Sequence, residues 1–384
     1  MAAAASELRP LHAEEDISEK WLQAMLTLKF GCPVRVHAWT SRTPRGREGF
    51  LSEIAFVSLT YSKDGEEGTV DASLVFKFLP QDPALRQFLA NGGLTKREVE
   101  FYNFVGSISF QEICKKCGIA LPVPETYYAG YTEEAITIVL HDLNTDKFKS
   151  VIVKEGSTLE QTRTALKAVA LVHAAGLLYI NQHGKGNSLK TLASEFKTDF
   201  YDQFFLPNLD TLSEMYKGSP LSSTMLSLKP LTQKMYKVSE KRPFVETVIH
   251  GDLWAGQLMY SEDESRAVII DWQFCRTSNP VTDIVSMFFM SSDPKVLPNY
   301  EELLRDYWAV FTDTLRAGGV STELTFENLL SSVEDCWILG FQFLAVSIHD
   351  FIGGGNITDE RIFGAVDFLE KRGVFKKFIE EFSC

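Results

Sequence analysis

Apolar positions along this chain change rhythm near residue 145. Upstream they fall in short runs, often alternating with polar residues, at 34–39, 53–61, 70–79, 122–129 and 135–140. Such runs predict strands, because successive side chains on a strand point to opposite faces. The polar, glycine-bearing link Ser62-Lys63-Asp64-Gly65-Glu66-Glu67-Gly68 predicts a hairpin turn. Before the first strand, Ile17, Trp21, Met25 and Leu28 recur at helical spacing, so residues 14–30 predict an amphipathic helix that Ser18 can cap. Downstream the period lengthens. Leu159, Leu166, Val169, Ala170, Val172, His173 and Leu177 share one helical face, and Ser157 with Glu160 has the form of a capping box. Further helices are expected over 190–240, broken at Gly218-Ser219-Pro220, and from Asp283 to the end, broken at Gly353-Gly354-Gly355. The pattern contains no internal repeat and no low-complexity segment. It predicts an α+β chain: a helical extension over 1–30, a sheet-based part over 31–142 and a mostly helical part over 143–384.

Composition narrows the classes. The 384 residues are 45% hydrophobic with a net charge of −13, which disfavours nucleic acid and anionic membrane as partners. No apolar run approaches the eighteen or more residues of a membrane span. The start, Met1-Ala2-Ala3-Ala4-Ala5-Ser6-Glu7, lacks a basic region followed by an apolar core, and Glu14, Glu15 and Asp16 argue against a transit peptide, so a cytoplasmic protein is expected. Six scattered cysteines are too sparse for a disulfide framework. Cys114-Lys115-Lys116-Cys117 has half of a zinc-site spacing without a second pair, and reads as a helix end with two small apolar residues.

Three acidic or basic positions interrupt apolar surroundings. Lys77 lies inside Leu74-Val75-Phe76-Lys77-Phe78-Leu79, where a buried ammonium needs a partner. Glu98 can supply it, or can instead close a capping box with Thr95. Asp252 and Asp271 each follow an apolar run and lie nineteen residues apart, a spacing that suits a hairpin bringing both carboxylates together. Phosphoryl transfer uses such a pair, one carboxylate to orient a hydroxyl and one to hold Mg²⁺. Glycines between Thr43 and Ser52 would let backbone amides approach phosphate oxygens.

His250-Gly251-Asp252-Leu253-Trp254 and Ile270-Asp271-Trp272-Gln273 resemble the signatures of the aminoglycoside-phosphotransferase and choline-kinase group of small-molecule kinases, and above all its CHK-kinase-like, or ecdysteroid-kinase-like, branch. The resemblance runs from about Arg47 to Asp283, with a helical tail beyond. It implies a protein-kinase-like fold of two lobes, with ATP and Mg²⁺ in the cleft between them. Asp252 would orient or accept the proton of an acceptor hydroxyl, and Asp271 would hold Mg²⁺. Gln257 stands where the family has a metal-binding Asn. Lys77, set by Glu98, would hold the phosphates. Phe50 and Ser52 match the end of the family's glycine loop, with Arg47 near the expected glycine. His141-Asp142-Leu143 stands at the hinge, where backbone groups bind adenine, so His141 and Leu143 would flank the base; the family often has Glu in place of His141. Only eleven residues separate Asp271 from Asp283 and no Ala-Pro-Glu follows, which leaves no platform for a protein substrate. The implied acceptor is a small alcohol, steroid-like or choline-like. Trp272, Phe274, Trp337, Phe341 and Phe343 could line its pocket, or fill the core. A second reading, a nucleotide-binding pseudoenzyme or a kinase fold reused for another role, rests on Gln257, His141 and the imperfect glycine loop.

Overall fold

The computed structural model describes residues 8–44, 51–151, 154–186, 189–192, 202–241, 244–348 and 357–382. The chain is α+β and divides into two compact units. The first comprises Met1–Ser107 and Val123–Phe148, the second Ile108–Pro122 and Lys149–Cys384.

The first unit is built on five antiparallel strands: β1 (Val34–Arg42), β2 (Glu53–Lys63), β3 (Val70–Phe78), β4 (Thr126–Tyr131) and β5 (Ile136–His141), in the order β1-β2-β3-β5-β4. Alternation is clean where one face packs. Ala55, Val57, Leu59 and Tyr61 of β2 and Leu74, Phe76 and Phe78 of β3 are buried. Helix α1 (Glu19–Phe30) covers that face. Ser18 caps it by accepting the Trp21 amide at 3.3 Å, and Trp21 packs on Phe76 with ring centroids 5.7 Å apart. The expected helix from residue 14 therefore begins at 19, because a single turn, Glu14–Asp16, precedes the cap. Lys77 lies between Phe76 and Phe78 in register with Ile54 and Ile138, so it points to the other face. Helices α2 (Pro83–Asn91) and α3 (Leu94–Val105) follow β3.

The second unit is mostly helical: α4 (Ile108–Cys117), α5 (Leu159–His183), α6 (Asp202–Met215), α7 (Pro220–Leu228), α8 (Thr232–Tyr236), α9 (Val238–Lys241), α10 (Val281–Ser286), α11 (Tyr300–Ala317), α12 (Phe326–Asp335), α13 (Trp337–Val346), α14 (Asp359–Lys371) and α15 (Val374–Phe382). Helix α4 was expected with the sheet; its Phe110 instead packs against Tyr179 of α5. Short ladders carry the loops of interest. Strands β6 (Lys149–Ser150), β8 (Leu258–Tyr260) and β9 (Ala267–Ile269) form one sheet, and β7 (Thr247–Ile249) pairs with β10 (Arg276–Ser278). The capping box at the start of α5 is Thr158 with Gln161, one residue later than the sequence suggests. Ser157 is instead drawn into the fold, its amide donating to the Ser291 carbonyl at 2.6 Å. Among the described helices, α5 is long and apolar enough to cross a bilayer by length and composition, but 72% of its apolar window is buried inside the protein. That burial marks a core helix.

Candidate active site

The first unit holds an ion pair. Lys77 Nζ lies 2.6 Å from Glu98 Oε2, with the side chains 13% and 7% exposed. Helix α3 starts at Leu94 behind Gly93, so Thr95 lies inside its first turn rather than at the cap. The carboxylate that could have closed a capping box is spent on Lys77. Residues 45–50 of the glycine loop, Phe50 included, lie outside the described residues. Ser52 sits half-buried just before β2. At the end of β5, the His141 amide donates to the Glu125 carbonyl at 2.8 Å and the Asp142 amide to the Ser73 carbonyl at 3.1 Å. The His141 ring pairs with Asp146 at 3.0 Å, while Leu143 is buried. Asp142 caps the short turn Leu143–Asp146 through the Asn144 amide. The amides of His141 and Asp142 are thus engaged within the unit.

In the second unit β7 ends at Ile249 and the chain turns sharply through His250-Gly251-Asp252. The turn is held from below by Asp283, the third residue of α10. Its Oδ2 accepts the His250 amide at 2.7 Å and its Oδ1 the Gly251 amide at 2.8 Å. Gly251 has φ +85, and a Cβ there would meet the Phe274 carbonyl and Arg276 at 2.3 Å, so only glycine fits. Fully buried, Asp283 also faces His173 Nε2 at 3.1 Å, whose other ring nitrogen reaches Tyr307 Oη at 2.9 Å. Burial alone would raise the Asp283 carboxyl. The His173 hydrogen bond, the nearby His173 and His250 rings and the Gly251 amide outweigh it and hold the group below the ordinary carboxylate range. His173 is therefore a satisfied core histidine, as its place on the apolar face of α5 suggests.

His250 joins the two aspartate loops. Its Nε2 lies 2.9 Å from the Ile270 carbonyl, which can only accept, so the proton is on Nε2. Its Nδ1 accepts the Asp252 amide at 3.3 Å. The ring packs edge-on against the buried Trp272, with centroids 4.8 Å apart. Asp271 itself adopts left-handed backbone, φ 63 and ψ 64, a conformation that aspartate tolerates better than most residues. Such strain persists where the surroundings enforce it.

The carboxylates repel one another. Asp252 keeps part of its surface exposed, yet its carboxyl is pushed up to about 8, first by burial and then by the charge of Asp271, with the neighbouring Trp254 and Gln257 side chains opposing the shift. Gln257 Nε2 donates to Asp271 Oδ2 at 3.1 Å, and Gln273 Nε2 approaches the same oxygen at 3.4 Å. Gln273 ends the Ile270-Asp271-Trp272-Gln273 motif, and nothing in the sequence alone marks it as a neighbour of the Asp271 carboxylate. Gly256 has a packing role: a Cβ there would lie 2.2 Å from the Trp254 ring. Among the described residues no group of three or more His, Cys, Asp or Glu is placed to hold a metal. The local donors are carboxylate and amide oxygens, the hard ligands that Mg²⁺ prefers, and it takes few of them when phosphates supply the rest.

The aromatic residues proposed for an acceptor pocket are buried: Trp272, Phe274, Trp337, Phe341 and Phe343 belong to the core. Phe341 packs on Phe205 and Phe375, and Trp337 on Tyr300 and Phe368. Trp337 also borders a cavity of about 230 Å³ with Ile338, Arg372, Phe378 and Phe382, which Asp252, Gln257 and Asp271 do not line. Cys114 is buried on α4 with its thiol raised to about 11 by burial, which makes it an inert core residue.

No curated protein matches the sequence. Solved structures with a similar chain course include an ethanolamine kinase of Plasmodium vivax, 10% identical, covering 88% of this chain and 83% of its own with a TM-score of 0.47. A macrolide 2′-phosphotransferase of type I is 15% identical, covering 94% and 99% with a TM-score of 0.41. A choline kinase of Streptococcus pneumoniae is 13% identical, covering 83% and 98% with a TM-score of 0.33. The family model described as ecdysteroid kinase-like matches residues 46–320, a stretch that contains Lys77, Glu98, Asp252, Gln257, Asp271 and Asp283. The chain belongs to the ecdysteroid kinase-like family.

Proposed function

We propose that this protein is an ATP- and Mg²⁺-dependent kinase that phosphorylates a hydroxyl of a small alcohol. The observation that carries the reading is the crowding of Asp252 and Asp271 on two loops that His250 pins together. Like charges held close are unfavourable unless a cation offsets them, and sites with such perturbed carboxyls are enriched in function. Mg²⁺, held by Asp271 with the Gln257 side-chain oxygen beside it, would neutralise charge on the nucleotide phosphates. Lys77, fixed by Glu98, would offer a positive charge to nucleotide phosphates.

In the transfer, the acceptor O–H donates its hydrogen bond to the Asp252 carboxylate. As the acceptor oxygen forms its bond to the terminal phosphorus, the bond from that phosphorus to the bridging oxygen of ADP breaks, and Asp252 takes the proton. Mg²⁺ at Asp271 would ease the repulsion that helps to raise the Asp252 carboxyl, leaving it ionised and able to take the proton. Catalysis of this kind is mainly positioning and electrostatics. The family's description suggests a steroid-like alcohol; a choline-like alcohol is the other acceptor class that the sequence motifs imply. We place the protein in the cytoplasm, where ATP is supplied.

The test has two stages. Thermal stability is measured with ATP and Mg²⁺ together and separately; a ligand at 100 times its Kd stabilises by about 2.7 kcal/mol. Steroid and amino alcohols are then screened for an ATP-dependent mass gain of one phosphoryl group. Binding of MgATP without any phosphorylated alcohol would favour the pseudoenzyme reading, to which the Gln257–Asp271 hydrogen bond also lends itself. No binding at all would refute both.

A further inference from the structure

The loop between Asp252 and Gln257 has a second anchor, distinct from Asp283. Directly after α10 the chain widens into a π-helical turn, Met287–Ser291. Such turns are rare, and they occur frequently at functional sites. This one brings Ser291 beneath the loop: Ser291 Oγ accepts the Ala255 amide at 2.7 Å, and both residues are fully buried. The Ser291 carbonyl takes the Ser157 amide at 2.6 Å, tying the turn to the start of α5. One residue earlier, the Met290 carbonyl accepts from Arg361 Nη2 at 2.8 Å. Arg361 is 3% exposed and sits in the first turn of α14, whose cap Thr358 accepts the Arg361 amide at 3.3 Å. Burial pushes the Arg361 guanidinium down to about 10, against the raising effect of Asp293. A buried guanidinium is costly to place unless it is hydrogen-bonded, and this one donates to a carbonyl of the turn. Met290 and Ser291 lie within the family match at 46–320, whereas Arg361 lies outside it.

We propose that Ser291 is a positioning residue for phosphoryl transfer: it fixes the backbone between Asp252 and Gln257, and Arg361 holds its π-turn in place. Helix α14, beyond the matched residues, thereby becomes part of the support of the catalytic loop. This inference rests on the proposed kinase reading for its catalytic consequence, but not for its structural one.

The experiment is amide hydrogen–deuterium exchange on the full chain without nucleotide, for wild type, Ser291→Ala and Arg361→Met. Removing a buried acceptor frees the Ala255 amide, so exchange in residues 253–258 should rise about tenfold in Ser291→Ala, with the rest of the second unit unchanged. Arg361→Met should accelerate the same segment, and the double variant should add little, because both act through one turn. In steady-state assays Ser291→Ala should lower kcat about tenfold with the KM for ATP nearly unchanged. Unchanged exchange at 253–258, or equal acceleration across the whole unit, would overturn the proposal. A wild type without turnover would count against the kinase reading alone, since the exchange result stands by itself.

Discussion

His250 donates its Nε2–H to the carbonyl oxygen of Ile270 at 2.9 Å, immediately before Asp271. The same ring accepts the amide of Asp252. One side chain therefore sets the spacing of both aspartates, which explains why a histidine that touches no reacting atom stands two residues before Asp252. His250→Phe keeps the ring's shape against Trp272 but leaves a carbonyl and an amide unpartnered. The expected loss is about 1–3 kcal/mol of stability, read from urea unfolding, with MgATP binding and turnover falling together. Lower stability with both activities intact would show that the loops keep their spacing without the ring.

The two aspartates should separate by function. Asp271→Asn is expected to abolish the Mg²⁺-dependent part of ATP binding. Asp252→Asn should leave that binding largely intact and lower turnover by about 10²-fold or more, the scale of a lost general base. Calorimetric titration and acceptor-dependent ADP release decide the matter. The opposite pattern would reverse the assignment.

Much of this was legible in the sequence because it lives in local patterns. Ser18 caps α1 and β1 to β3 lie within a few residues of their expected limits, since period and turn chemistry are local properties. Lys77 demanded a partner as a charge inside an apolar strand, and Glu98 supplies it. What could not be read was long-range packing. The helix Ile108–Cys117 sits with the second unit because Phe110 finds Tyr179, a contact no window of sequence contains. Ser291 meets Ala255 only because a π-turn widens the helix there, and nothing in Met287-Phe288-Phe289-Met290-Ser291 announces that turn. Nor does the sequence show that Gly256 is the seat of the Trp254 ring.

Asp283 carries a pH dependence. Its folded-state pKa is depressed, so its stabilising contribution is fully present above the ordinary carboxylate value, about 3.9, and is lost as pH falls through the folded value. Asp283→Asn removes that contribution while keeping the shape. The variant should be clearly less stable than wild type from pH 5 to 8, and the gap should narrow as the pH drops below 4. Urea midpoints at pH 7, 5 and 3.5 measure it. A gap independent of pH would mean that the charge of Asp283 does not matter and only its acceptor geometry does.

The Lys77–Glu98 pair should behave as a unit. With both side chains mostly buried and 2.6 Å apart, removing either leaves the other charge poorly compensated. Lys77→Met and Glu98→Gln are expected to lower turnover by similar factors, and the double variant should fall well short of their product. Independent, multiplying effects would separate Glu98 from the phosphate-binding role proposed for Lys77.

Gln257 stands where the sequence resemblance would put an asparagine, and its neighbours say how the longer side chain is accommodated. The backbone has little room to shift, because Gly256 lies under the Trp254 ring and the Gln257 carbonyl accepts the Ile270 amide at 2.9 Å. The extra methylene is used by the side chain, which brings Nε2 to Asp271 Oδ2 at 3.1 Å. An asparagine on the same backbone is one methylene shorter and would withdraw that donor. Gln273 Nε2 reaches the same oxygen only at 3.4 Å, and the Gln257 side chain also opposes the raised proton affinity of Asp252. Gln257→Asn should therefore lower acceptor-dependent turnover with Mg²⁺ about tenfold, the effect of one hydrogen bond to a charged group. Turnover with Mn²⁺ should fall less, because Mg²⁺ demands near-ideal octahedral geometry. The measurement is ADP release for wild type and variant under each metal. A clear gain with Mg²⁺ would mean that Gln257 has weakened the metal site rather than adapted it, and would move the protein toward the pseudoenzyme reading.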